Sequence, residues 1–246
     1  MSSSESFGEV LPWDSDFFGV KVARINAADP REITAADQWC RAQRVDVAYL
    51  LLPVEEPAVL RHAEALAFGF VDIRIELAVA RERFSPPAER DTGAITIRHH
   101  NPADIPALEE IAASAHRDSR FYADGRFATE RCDALYATWI RRDSTEDGRH
   151  VLIAEHGGDV AGYLSYHFTG EGAAASAVID LVGVNAEHRG VGIGRALVEA
   201  GVDAGLRGAA RVEVVTQGRN RAAQRLYQGA GMTTSAVGIW FHKWYA

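Results

Sequence analysis

The chain has 246 residues, 47% hydrophobic and 24% charged, the composition of a soluble globular protein with room for one large domain or two small ones. A net charge of -8, from 26 basic and 34 acidic residues, argues against a general nucleic-acid binder, which needs a basic footprint. The two cysteines, Cys40 and Cys132, make no metal-ligand spacing. The polar start has no signal-peptide core, and no apolar run approaches the ~18 residues of a membrane span. These features predict a cytoplasmic protein with no metal, no membrane contact and no nucleic-acid partner.

In chain order, the first region opens with an aromatic-rich stretch, Leu11 to Val20. Leu60 to Phe70 reads as a helix ending at Gly69, and Ile73 to Val79 follows as a strand. Arg81 to Thr92, with Ser85-Pro86-Pro87 and alternating charges, reads as a boundary. This predicts a smaller N-terminal α/β domain over 1–90 and a main domain over 94–246. The second region starts with the alternating strand Ala94 to Arg98, and Asn101-Pro102-Ala103-Asp104 then starts a helix carrying Leu108, Ile111, Ala112 and Ala115. Thr129 to Arg142 is an amphipathic helix, and Val151–Ala154 and Val160–Ser165 form a hairpin around His156–Asp159. A strand ending at Val184, a glycine-rich turn, a helix over Arg195–Leu206, a strand over Arg211–Thr216, a helix over Arg221–Gln228 and a strand over Val237–Trp244 complete the order.

The turn is the most informative segment. Arg189-Gly190-Val191-Gly192-Ile193-Gly194 joins a strand to a helix. Such a turn aims backbone N–H groups at one spot, where the helix N-terminus adds partial positive charge. Glycine removes side chains that would block the approach. The predicted ligand is a phosphate or pyrophosphate. No Gly-Lys-Ser/Thr ends the turn, so it is not a P-loop, and the alternating glycines do not have Rossmann spacing.

Arg189, Gly192 and Gly194 resemble the Arg/Gln-x-x-Gly-x-Gly/Ala signature of the GNAT acyltransferase superfamily, with Leu181 to Val184 as its fourth strand and Ala196 to Val198 in the helix behind. The resemblance covers about residues 94 to 246. It implies a mixed, mostly antiparallel α/β sheet with splayed strands and flanking helices. It also implies acetyl-coenzyme A as co-substrate, its pantetheine threading the gap between splayed strands. The coenzyme-binding set so implied is Val182, Val184, Arg189, Gly190, Val191, Gly192, Ile193, Gly194, Arg195, Asn220, Ala223 and Tyr227. Asn220, Ala223 and Tyr227 fall at helical spacings of three and four and share one face. Asn220 is a natural N-cap. In the superfamily a tyrosine seven residues beyond this asparagine lies beside the thioester sulfur, which makes Tyr227 the candidate general acid. Free thiols titrate near ~8.5 and tyrosine near ~10, so a tyrosine hydroxyl can reprotonate a leaving thiolate. Asp180, on the face of Val182 and Val184, is the candidate base, with His167, Glu155 and Glu76 as further carboxylate or imidazole candidates. The helix–glycine–strand unit of residues 60–79 is similar to that of residues 221–244, as an old duplication or as two units of a common type. The first region lacks a pyrophosphate loop, so one coenzyme site is expected.

Leu11 to Val20, Ser119 to Tyr122, Tyr136 to Ile140 and the Asn220–Tyr227 pair together resemble the TDP-fucosamine acetyltransferase group over most of the chain. That group acetylates the 4-amino group of a dTDP-linked 4-amino-4,6-dideoxy sugar. On this resemblance the acceptor is a small nucleotide-sugar, with Arg120 for the diphosphate and Phe121, Tyr122 or Trp139 for the thymine. The competing readings are acetylation of a protein N-terminus or lysine, acetylation of an aminoglycoside, and an acyl-CoA-binding protein without catalysis. Open sheet edges could pair in a homodimer.

Overall fold

The structure, a computed structural model, describes residues 7–84 and 94–245. Its strands are β1 (Gly8–Val10), β2 (Val22–Ile25), β3 (Val47–Pro53), β4 (Gly69–Ala80), β5 (Ile95–His99), β6 (Arg149–His156), β7 (Asp159–Thr169), β8 (Ser176–Val184), β9 (Arg211–Gln217) and β10 (Thr233–Trp244). The helices are α1 (Pro12–Phe18), α2 (Pro30–Ala42), α3 (Pro57–Ala65), α4 (Ile105–Ala115), α5 (Arg120–Asp124), α6 (Thr129–Thr145), α7 (Ile193–Gly208) and α8 (Arg221–Gly229). Most of the expected boundary segment falls outside the described residues.

Local chemistry sets these elements. Asp29 caps α2 by accepting from the amides of Arg31 and Glu32, with Pro30 at the first helical position. Asn101 and Asp104 form a reciprocal capping box just before α4. One expected stop differs. Helix α3 ends at Ala65, the turn after it passes through Ala67 at φ 62, and the Phe68 amide closes back on the Ala63 carbonyl. Burial of the Phe68 ring fixes that turn, and Gly69 instead begins β4.

All ten strands form one sheet in the order β1-β2-β3-β10-β4-β9-β8-β7-β6-β5. The pairs β2–β3 and β8–β9 are parallel and the other neighbours antiparallel. The order around β10 and β4 is palindromic: each of these strands leaves its own half and pairs with the parallel unit of the other. Thus β10 lies against β3 of the first region, and β4 against β9 of the second. Helices α2 and α3 cover Ile25, Leu50, Leu52 and Phe241. Helix α7 covers Leu77, Val79, Val212 and Val214 on the same face, as the cross-strand partnering of Ile239 with both Leu52 and Ile73 requires. Helices α4, α5 and α6 pack on the opposite face, over Val47, Tyr49, Ile153 and Tyr163.

The exchanged strand is also held by charge. Lys243 on β10 donates to Asp37 on α2 at 2.6 Å and to the Leu66 carbonyl at 2.6 Å, and the Tyr245 hydroxyl donates to Asp37 at 2.8 Å. Burial alone would raise the Asp37 pKa, but the bonds from Lys243 and Tyr245 hold it below the usual carboxylate value. Removing one partner of a buried pair leaves the other charge uncompensated. Lys243→Met should therefore lower the unfolding free energy by about 3–5 kcal/mol in a denaturant titration, and Asp37→Asn added to it should recover part of the loss. A change within about 0.5 kcal/mol would mean that the pair contributes nothing to the seam.

Candidate active site

The glycine-rich turn and the strand before it build one cleft of about 620 Å³. Strands β8 and β9 pair only from Ser176 to Ile179. At Asp180 the register of β8 against β7 slips by one residue, a β-bulge, and β8 then diverges from β9. From Asp180 to Val184 the strand is bonded only on its β7 side, and its other edge faces the gap. Asp180, Val182 and Val184 line that gap from one side, Val215, Thr216 and Gln217 from the other.

Helix α7 begins across the mouth of the gap. Its N-cap is Gly192, at φ 101, and no side chain caps it. The first backbone bond into the helix is that of the Ala196 amide to the Gly192 carbonyl at 3.0 Å. Among the described residues, none of the amides from Gly190 to Arg195 donates to protein. Six unclaimed N–H groups at a helix N-terminus form an anion cradle. Arg189, Gly190, Gly192, Ile193, Gly194 and Arg195 line the cleft, while Val191 points to solvent. Arg189 donates to the Val184 carbonyl and Arg195 to Glu199, and both cations flank the turn. The equivalent helix of the first half, α2, has its N-terminal amides already taken by Asp29.

Helix α8 closes the cleft. Asn220 caps it by accepting from the Ala223 amide at 3.0 Å, and Ala223, Leu226 and Tyr227 face inward. Among the described residues nothing hydrogen-bonds the Tyr227 hydroxyl. Burial holds its pKa above the usual tyrosine value, so the proton is retained across the physiological range.

The far end of the cleft is formed by Ala115, His116, Asp118 and Ser119 after α4, and by Tyr136 and Trp139 on α6. The His116 ring stacks on Tyr136 at 4.4 Å, and its Nε2 lies 2.8 Å from the Tyr163 hydroxyl. Burial depresses the His116 pKa to about 4, so the ring is neutral at physiological pH. Sequence reasoning missed His116, which follows α4 in a polar run without periodic signal. Asp180 sits between the two ends, with His167 Nδ1 at 2.7 Å and Arg149 Nη1 at 3.2 Å. Burial raises its pKa despite His167 and Arg149. Of the other base candidates, Glu155 is paired with Arg98 and Glu76 with Arg74, and neither lines the cleft.

The four expected acceptor residues divide. Trp139 lines the cleft. Phe121 does not, because its ring is enclosed by Phe18, Phe127 and Tyr49. Tyr122 donates to Asp133 and lies under Arg117, also outside the cleft. Arg120 lies beside it: its guanidinium is held over the rings of Tyr49, Phe121 and Trp240 at 4.3, 4.2 and 4.4 Å. Among the described residues, no group of three or more His, Cys, Asp or Glu is placed to hold a metal ion, and no helix is long and apolar enough to cross a membrane.

Splayed parallel strands, an uncapped helix over the gap and a buried tyrosine define an acyl-coenzyme A-dependent transferase class. The model of the acetyltransferase (GNAT) family matches residues 106–232, and the chain belongs to that family. It is an N-acetyltransferase, and enzymes of this family use acetyl-coenzyme A. It is 27% identical over 238 residues to the dTDP-fucosamine acetyltransferase of Escherichia coli O6:H1 (strain CFT073), covering 96% of this chain and 97% of the relative. It is 26% identical over 144 residues to the spore coat polysaccharide biosynthesis protein SpsD of Bacillus subtilis (strain 168), covering 58% of this chain and 48% of that one. The fold is shared with the crystal structure of a GCN5-related N-acetyltransferase from Sphaerobacter thermophilus, at a TM-score of 0.65 and 20% identity, over 96% of this chain and 76% of that one.

The cleft constrains its own wall. A Cβ at Gly183 would stand 2.5 Å from Tyr163 Cε1 and 3.0 Å from its hydroxyl, displacing the ring that holds His116. Gly183→Ala should destabilise the fold by about 1–3 kcal/mol through overpacking, read as a fall in Tm. An unchanged Tm would show that Tyr163 can move freely.

Proposed function

We propose that this protein transfers the acetyl group of acetyl-coenzyme A to the amine of a dTDP-linked 4-amino-4,6-dideoxy sugar. The observation that carries the reading is the likeness to the dTDP-fucosamine enzyme along the whole chain, first region included. Residues 1–90 are read as a degenerate half of the same fold and 94–246 as the catalytic half, a division supported by the palindromic strand order.

In this reading the amides of Gly190 to Arg195 hold the coenzyme pyrophosphate, and the open edge of β8 from Val182 to Val184 hydrogen-bonds the pantetheine arm. The neutral amine enters from the end formed by His116, Tyr136 and Trp139 and attacks the thioester carbonyl. Backbone N–H groups of the open β8 edge receive the developing oxyanion. As the C–S bond breaks, the Tyr227 hydroxyl gives its proton to the leaving sulfur. Burial that raises the tyrosine pKa raises that of a thiol in the same pocket, which keeps the transfer balanced. The proton shed by the new amide nitrogen passes to the Asp180–His167 pair or to water, and Tyr227 is reprotonated from solvent. The carboxylates lining the cleft are Asp118 and Asp180, alongside Arg189 and Arg195. That mixture does not favour a polycationic aminoglycoside, which calls for a strongly acidic cleft.

The test is free-thiol release with a panel of acceptors: dTDP-4-amino-4,6-dideoxygalactose, its glucose epimer, a 3-amino analogue, an aminoglycoside and N-terminal peptides. Turnover confined to one dTDP-amino sugar is expected. Turnover only on peptides or the aminoglycoside would refute the sugar while leaving the family intact. Tyr227→Phe should cut kcat by about 10²–10⁴ with little change in coenzyme affinity, and an unchanged kcat would remove Tyr227 from the mechanism.

A further inference from the structure

A second cleft, of about 560 Å³, opens on the central sheet and is not accounted for by the acetyl-transfer site. Its lining includes Arg24 on β2, Leu51 on β3, Trp240 on β10, Arg74 on β4, and Glu32 at the start of α2. Register places Arg24, Leu51, Trp240 and Arg74 on one face, and the β2–α2 connection from Ile25 to Ala28 completes the cleft. Leu51 is the cross-strand partner of Trp240, Arg24 is the partner of Tyr49 two residues from Leu51, and Arg74 is the partner of both Gly238 and Gln217. Side chains on one strand alternate in direction, so this row points away from Ile25, Leu50 and Phe241 and toward the side of α4, α5 and α6.

Gln217 belongs to the acetyl-transfer cleft. The two clefts therefore meet across the β4–β9 pair, at Arg74 and Gln217. From β2 to β9 there are four strand intervals, about 19 Å in all. That length suits an extended ligand whose reactive end lies near β8 and β9 and whose remainder crosses β4 and β10.

Arg120 lines neither cleft but borders both. It adjoins Ser119 of the first cleft and lies 4.4 Å above the Trp240 ring of the second. Its Nη1 is 2.8 Å from His242 Nε2. Asp124 binds the other ring nitrogen of that histidine, so Nε2 carries the lone pair that accepts from Arg120. Among the described residues no carboxylate forms an ion pair with Arg120. Among the described residues the ion pair of Arg24 is with exposed Glu9 at 3.7 Å, and Asp14 interacts at longer range with both Arg24 and Arg120. Arg74 pairs with Glu76 at a partly exposed position, where exchanging carboxylate for phosphate costs little. Three arginines beside an indole form a surface for a planar base and a diphosphate, because guanidinium forks match phosphate oxygens and an indole face stacks with a base.

This is not a duplicate coenzyme site. Asp29 occupies the helix N-terminus that would have to receive a pyrophosphate, and Glu32 accepts from the Ala28 amide in the same turn.

We propose that the second cleft is the nucleotide subsite of the acceptor, with Arg24, Arg74 and Arg120 holding a nucleoside diphosphate and Trp240 and Leu51 receiving its base. The inference rests on the nucleotide-sugar reading. It assigns nucleotide recognition to the first region and to the exchanged strands β4 and β10, apart from the coenzyme loop.

The experiment is calorimetric titration of the full chain with dTDP, which lacks the reactive sugar, and in parallel with acetyl-coenzyme A. Wild type should bind both. Arg74→Gln and Trp240→Leu should each weaken dTDP by about tenfold or more, the loss expected for a charge-assisted bond or a stacking face, with acetyl-coenzyme A affinity unchanged. Equal dTDP affinity in wild type and variants would overturn the subsite and leave the nucleotide-sugar reading standing. Failure of wild type to bind dTDP at millimolar concentration would overturn both. Where Trp240→Leu loses both ligands through misfolding, the exposed Arg24→Gln decides: weaker dTDP binding alone supports the subsite, and unchanged binding refutes it.

Discussion

The seat of β10 between β3 and β4 is the constraint on which the rest of this molecule depends. It is the last strand in the chain, yet it fills the center of the sheet and pairs on both sides. Its two rows of side chains serve different layers. Ile239, Phe241 and Lys243 reach the α2–α3 side, where Lys243 meets Asp37. Trp240, His242 and Trp244 reach the α5 side, where His242 and Trp244 meet Asp124. Burial holds the His242 pKa down at about 4 even though Asp124 favours its charge, so the ring stays a neutral acceptor for Arg120. A single strand thus fixes both the packing of the first region and the position of a cation beside the active cleft.

The two halves share a topology but not a chemistry, and the difference is local. In each half a strand, a helix and a parallel strand form one unit, with four cross-strand partners in each parallel pair. In the second half β8 bulges at Asp180 and leaves its partner, and the helix that follows starts on a bare glycine. In the first half the corresponding helix carries an aspartate cap. An anion can compete for free amides but not for amides already bonded to a carboxylate. Helix α2 therefore offers no equivalent set of free N-terminal amides.

Much of the fold was legible in the sequence because its signals are local. The caps at Asn101 and Asn220, the hairpin turn at Gly157 and Gly158, and the loop from Arg189 to Gly194 each depend on residues within a few positions of one another. The helical face of Asn220, Ala223 and Tyr227 followed from spacing alone, and all three line the cleft. Ser119 to Tyr122 looked like one binding segment in the sequence. In the folded chain Phe121 is in the core and Tyr122 is bonded to Asp133, while Arg120 turns toward Trp240. A short helix sends neighbouring side chains in different directions, and only the packing around it decides which reach a ligand.

The sequence by itself determined the parts whose physics is short-ranged: where most helices start and stop, where the glycine-rich turn lies, and which helix face carries the tyrosine. Tertiary structure alone decided that β10 would sit between β3 and β4, that His116 would stack on Tyr136 at the far end of the first cleft, and that Arg24, Arg74 and Trp240 would share one cleft. Those residues are far apart in the chain. Their meeting depends on long-range strand pairing, which leaves no periodic trace in a single sequence.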